Sequence, residues 1–71
     1  MQTTRIEIEL NGRTREVREG LSVADLVLEL GLRQEMVAVE VNQSLVTRDR
    51  RATTPLRPGD RVEMVTIMGG G

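Results

Sequence analysis

Few side chains in this sequence can do chemistry, and that scarcity narrows the search. The 71 residues include no cysteine and no histidine. There is no thiol nucleophile, and no side chain whose unperturbed pKa lies between about 5 and 8. The usual nitrogen and sulfur ligands of a transition metal are missing as well. The composition argues against a self-contained acid–base enzyme: no catalytic residue, no metal site and no bound cofactor is expected. One reactive group remains, the α-carboxylate of Gly71, at the end of Met68-Gly69-Gly70-Gly71. Glycine lacks a Cβ, so such a tail is thin and adopts most backbone angles. Three extended residues reach roughly 10 Å. Gly69 and Gly70 are therefore expected to thread into the active sites of partner enzymes, with the rest of the chain presenting the Gly71 carboxylate.

The elements that must position this tail fit one small domain, expected over residues 1–68, with 69–71 as a flexible C-terminal tail. Net charge is −1, from ten basic and eleven acidic residues, and there are no aromatic side chains. That balance gives no electrostatic footprint for nucleic acid and no platform on which bases stack. All ten basic residues are arginine, so the protein cannot be linked to copies of itself through lysine. No apolar run approaches the roughly 18 residues of a membrane span. Met1-Gln2-Thr3-Thr4-Arg5 leads straight into a strand pattern and does not resemble a signal peptide. A cytoplasmic location is expected. Asn42-Gln43-Ser44 matches a glycosylation sequon and is read as a chance match.

Arg5 to Leu10 alternates, with Ile6, Ile8 and Leu10 on one face, which predicts a half-buried strand. Glu7 and Glu9 then point to solvent rather than forming a catalytic acid pair. Asn11-Gly12 is a strong hairpin signal, and Arg13 to Arg18 returns as a charged strand suited to a sheet edge. Ser22 is a helix N-cap, with Asp25 at the capping-box position and Leu21 and Leu26 spaced as a hydrophobic staple. Val23, Leu26, Val27 and Leu30 form one apolar stripe. Gly31 ends the helix, with Leu32 folding back on Val27. Val37 to Val41 reads as a third strand, and Leu45-Val46 as a very short one. Thr47 to Thr54, containing Arg48, Arg50 and Arg51, reads as a solvated surface loop, with Leu56 as a core plug behind it. Pro58-Gly59 forms a type II turn. The last strand, Arg61 to Met68, carries Val62 and Met64 on one face and Val65 and Ile67 on the other. Apolar residues on both faces predict a central strand whose second face, at Val65 and Ile67, docks a partner together with Met68. The order hairpin, helix, strand, loop, strand predicts an α+β fold of the β-grasp (ubiquitin-like) kind. It is a mixed sheet of four to five strands, with the first and last strands parallel at the centre and one main helix on one face.

Three stretches together resemble the ThiS family of small sulfur carriers, within the ubiquitin-like ThiS/MoaD group. They are Val23-Ala24-Asp25-Leu26, Val37-Ala38-Val39-Glu40-Val41-Asn42, and Thr54-Pro55-Leu56-Arg57-Pro58-Gly59-Asp60-Arg61-Val62-Glu63, followed by the terminal Gly70-Gly71. The resemblance spans about Ile6 to Gly71. The segment Arg48-Asp49-Arg50-Arg51-Ala52 departs from the family pattern, which bears on the partner more than on the chemistry. The resemblance implies that the chain is a carrier and not an enzyme. An E1-like adenylyltransferase (ThiF-type) would use ATP to adenylate the Gly71 carboxylate. A cysteine desulfurase or rhodanese-type protein would supply sulfur to give a thiocarboxylate. Thiazole synthase (ThiG-type) would take that sulfur into the thiazole of thiamine. The alternatives are a sulfur carrier for molybdopterin, cysteine or a secondary metabolite, and a ubiquitin-like protein modifier.

Overall fold

The computed structural model describes residues 4–67. The proposed tail Gly69–Gly71, the docking residue Met68 and the first three residues lie outside the described residues. Strand β1 (Arg5–Leu10) and strand β2 (Arg13–Arg18) form an antiparallel hairpin. Its turn residues Asn11 and Gly12 both have positive φ, 49° and 83°. That is the twist a two-residue hairpin needs. Helix α1 (Val23–Glu29) follows, then a single 3-10 turn (Gln34–Met36), strand β3 (Val37–Val41) and strand β4 (Ser44–Leu45). A one-turn helix α2 (Arg48–Arg51) precedes strand β5 (Arg61–Thr66). The sheet order is β2-β1-β5-β3-β4. β5 runs parallel to β1 and antiparallel to β3. This is the expected β-grasp arrangement, with the chain's first and last strands side by side.

Helix α1 forms where its caps dictate. The Ser22 side chain accepts from the Asp25 N–H at 3.0 Å, and the Asp25 carboxylate accepts from the Ser22 N–H at 3.2 Å. At the other end the Leu32 N–H donates to the Val27 carbonyl and the Gly31 N–H to the Leu28 carbonyl. Gly31 sits at φ 74°, so this is a Schellman cap closed by a glycine. At seven residues the helix is too short to stand alone, and packing must hold it. Val23, Leu26 and Val27 are fully buried against Ile6, Ile8, Val39 and Val62 of the sheet. Each such side chain contributes roughly 1.5–3 kcal/mol.

The reading of residues 47–54 as a solvated loop fails at Arg51. The segment contains a turn of helix, and Arg51 is only 3% exposed. Its guanidinium donates to the carbonyls of Val46, Gln34 and Val37 and to the Gln34 side-chain oxygen, at 2.8–3.3 Å. A buried charge is tolerable only when its donors are met. Here carbonyl dipoles meet them, and the planar fork reaches four acceptors at once. Burial lowers the Arg51 pKa, yet a guanidinium stays charged in proteins. Arg48 and Arg50 are exposed, as expected. The short strand also shifts by one residue: β4 is Ser44–Leu45, with Val46 buried and Leu45 turned outward.

Two predictions follow from these anchors. Arg51→Lys removes the fork but keeps the charge; about 2 kcal/mol of stability should be lost, read as a lower midpoint in urea unfolding. Asp25 is held below its ordinary pKa, first by its hydrogen bond from the Ser22 N–H, then by the Ser22 side chain and Arg18. A depressed folded-state pKa gives stability that is present above the unfolded value near 3.8 and lost as pH falls through the lower folded value. Asp25→Asn cannot ionise, so it should lower the neutral plateau toward the acid value and flatten that acid limb of the stability curve.

Candidate functional site

The sequence pattern puts the candidate site at the end of β5, where the sheet is staggered. β1 and β5 pair only at Glu9–Arg61 and Leu10–Val62. The pairing is staggered, so β5 runs on past the end of β1. On its other side β3 accompanies β5 as far as Val37–Thr66, and the Ile67 N–H donates to the Met36 carbonyl. The described chain therefore ends at Ile67, on a strand supported on one side.

Side-chain alternation then sorts β5. Val62 and Met64 enter the core. Val65 and Ile67 are 62% and 48% exposed on the face opposite the helix. Register brings neighbours to this open face. Ala38 lies directly opposite Val65, and Glu40 lies opposite both Glu63 and Leu45. Leu45 is 64% exposed. Ala38, Leu45, Val65 and Ile67 thus make one apolar patch around the point where the tail begins. A shallow cleft beside Ile67, lined by Gln34, Leu45, Thr47 and Arg48 among others, continues it. Sequence reasoning found Val65 and Ile67 but missed Leu45. The signal was available: with Val46 inside, alternation turns Leu45 out.

The patch has an acidic border. Glu40 and Glu63 face each other across β3 and β5. Across β1 and β2, Glu7 and Glu16 do the same on the same face. Like charges directly opposite destabilise a sheet. Glu7 and Glu9 point away from the core, as their alternation predicts, with Glu9 within 4.0 Å of Arg61 in an exposed ion pair.

The motif residues near the start of β5 prove to be braces. Asn42, at φ 52° in the turn before β4, accepts from the Arg61 N–H and donates to the Asp60 carboxylate. The other Asp60 carboxylate oxygen accepts from the Arg57 N–H, closing the turn that launches β5. Asn11 does the same on the far side of β5: its amide accepts from the Met64 N–H at 2.8 Å and donates to the Met64 carbonyl at 3.2 Å. A side chain so extends the β1–β5 ladder by one rung. Among the described residues no group of three metal-ligating side chains comes together, and no helix is long and apolar enough to cross a membrane.

Comparison with known proteins agrees with this geometry. The model of the ThiS family matches residues 7–71. A sulfur carrier protein ThiS of Thermus thermophilus is 37% identical over 62 residues, covering 87% of this chain and 95% of that protein. A thiazole synthase of Magnetococcus marinus is 35% identical over 66 residues, covering 93% of this chain. The chain spans only 20% of the length of that synthase. The crystal structure of a thiamine biosynthesis protein (ThiS) from Geobacter metallireducens superposes with a TM-score of 0.78 at 35% identity. That superposition covers 93% of this chain and all of the other.

Because the patch is exposed, polar substitution within it should spare the fold. Val65→Asp or Ile67→Asp is expected to change stability by no more than about 0.5 kcal/mol, checked by thermal melting. A large loss of melting temperature would show that these side chains are core.

Proposed function

This chain belongs to the ThiS family of small sulfur carrier proteins, and from that membership we propose how it carries sulfur in thiamine biosynthesis. The reactive group is the Gly71 carboxylate. An α-carboxyl has a pKa of about 3.3–3.7, so it is ionised at neutral pH and is a poor electrophile. An E1-like adenylyltransferase joins it to the α-phosphate of ATP and releases pyrophosphate. The resulting acyl adenylate has a good leaving group. A persulfide sulfur from a cysteine desulfurase or rhodanese-type protein attacks the acyl carbon and expels AMP. Reductive cleavage of the sulfur–sulfur bond by a thiol then leaves a thiocarboxylate on Gly71. Thiazole synthase receives that sulfur.

One observation supports this reading above the others. The family match runs through Gly71, and the described chain heads for that residue from an overhanging strand ringed by exposed apolar side chains. All acid–base and phosphate handling belongs to the partners; the carrier supplies a carboxylate and a surface to grip. Val65, Ile67 and Met68, with Leu45, are assigned to that grip, and Gly69 and Gly70 to threading. The thiazole synthase partner is supported by the Magnetococcus marinus relative, a thiazole synthase that contains a stretch similar to this chain.

The deciding experiment is intact-mass analysis of the protein from cells. Replacement of one terminal oxygen by one sulfur is expected; isopeptide adducts on other proteins would point to a modifier instead. Deleting Gly70-Gly71 should leave the melting curve unchanged and abolish adenylation. Thiocarboxylate on the shortened chain would refute the assignment. Gly70→Val should slow adenylation because a branched side chain fills a narrow channel, and unchanged kinetics would argue against such a channel.

A further inference from the structure

The end of β5 has an open edge as well as an exposed face. In a strand, successive backbone groups point to alternate sides. The Val62 carbonyl accepts from the Asn11 N–H, and the Asn11 side chain takes both the N–H and the carbonyl of Met64. Even-numbered residues of β5 therefore aim their backbone groups toward β1. Thr66 is next in that series. β1 has already ended, and the ladder stops at the Asn11 rung. Thr66 lies opposite Val37 on the β3 side, but that side is bonded through Ile67 to Met36 and through the neighbouring rung at Val65. Among the described residues nothing meets the Thr66 N–H or carbonyl on the β1 side.

Two further features set this edge apart. Proteins guard exposed edges with charge or by keeping them short. Strand β2 carries Arg13, Arg15, Glu16 and Arg18, and β4 is two residues long. From Met64 to Gly71 there is no charged side chain. The Thr66 side chain is also exposed, although Val62 and Met64 on the same face are buried. The core has ended, and β5 continues with one edge and both faces free.

We propose that this edge is a β-addition site: an extended segment of the activating enzyme pairs with β5 at Thr66, in the slot beyond Asn11 that β1 leaves vacant. The proposal rests on the carrier reading above and names how its partner takes hold. A glycine tail offers no side chains to recognise, so its backbone is the available handle. Ordering glycine is entropically costly, and main-chain hydrogen bonds from a partner strand offset that loss. Such recognition also suits a tail handled by more than one enzyme, because it is indifferent to side chains.

Proline separates this idea from a purely structural role. The Thr66 N–H faces the open slot, a position where an edge strand tolerates proline. Thr66→Pro should therefore keep its melting temperature while raising the KM for this protein in E1-like adenylation about tenfold or more, the loss of a ladder rung plus a clash. Thr66→Val, which keeps the N–H, should behave as the unaltered chain. Wild-type adenylation kinetics for Thr66→Pro would overturn the proposal. Amide exchange on the unaltered protein gives a second readout, free of any folding effect. The Thr66 amide should exchange quickly alone and be protected by at least about tenfold in complex with the adenylyltransferase. Adenylation with Thr66 left unprotected overturns the edge pairing alone. Protection that needs no enzyme and grows with the protein's own concentration overturns it in favour of self-pairing. Absence of any ATP-dependent adenylate on the unaltered chain overturns the carrier reading and this proposal with it.

Discussion

The staggered parallel pairing of β1 and β5 sets almost everything else. Two directly matched residue pairs, Glu9–Arg61 and Leu10–Val62, join the chain's first strand to its last. A fuller overlap would have buried the end of β5 in the middle of the sheet. The offset instead carries Val65 to Ile67 beyond the hairpin turn, with β3 as their remaining support. The same offset makes the contact between β1 and β5 thin. The fold answers with braces around the start of β5: the Glu9 N–H to the Asp60 carbonyl, the Gly59 N–H to the Glu7 carbonyl, and the Asn42 amide across Asp60 and Arg61. A rigid base and a projecting end are two results of one register.

Side chains finish the ladders that the strands leave incomplete. Asn11 completes Met64 on one side of β5, and Arg51 completes Val37 on the outer side of β3, past the end of the short β4. In a domain of this size each unmet backbone group costs a sizeable part of the total stability. Against that background the bare Thr66 stands out. Comparable ladder positions at Met64 and Val37 have been supplied with partners, while the one nearest the tail has none among the described residues.

The strands and helix were legible because their signals are local. Alternation marked β1 and β5, Asn11-Gly12 marked the hairpin, and Ser22 with Asp25 marked the start of α1. The two-sided apolar pattern of Val62, Met64, Val65 and Ile67 carried both facts that matter about β5, its central place and its exposed face. What escaped was long-range. The Asn11 side chain meets a residue 53 positions away, and nothing near Asn11 encodes that meeting. Arg48, Arg50 and Arg51 look alike in sequence. A single helical turn places Arg51 inward, at the edge of β3, and its neighbours outward. Leu45 was missed although alternation beside an inward Val46 could have turned it out: the short strand was read without assigning its faces, and its pairing with Glu40 places Leu45 on the open face.

The division of labour between body and tail shows in the electrostatics too. Perturbed ionisable groups often mark a catalytic site. Here Asp25 is shifted by its helix cap and Arg51 by burial in a carbonyl cage, and both hold the fold together. The facing pairs Glu7–Glu16 and Glu40–Glu63 share the open face with the apolar patch, where they cost sheet stability and keep the surface soluble. Edge design follows the same division. Charged β2 and brief β4 close the outer margins of the sheet to stray pairing, while the uncharged end of β5 leaves an inner margin accessible. Among the described residues, the sheet margin left open to pairing in this way is the one at the end of β5. Specificity can then come from the face around Val65 and Ile67, and binding strength from backbone pairing at the open edge beside Thr66.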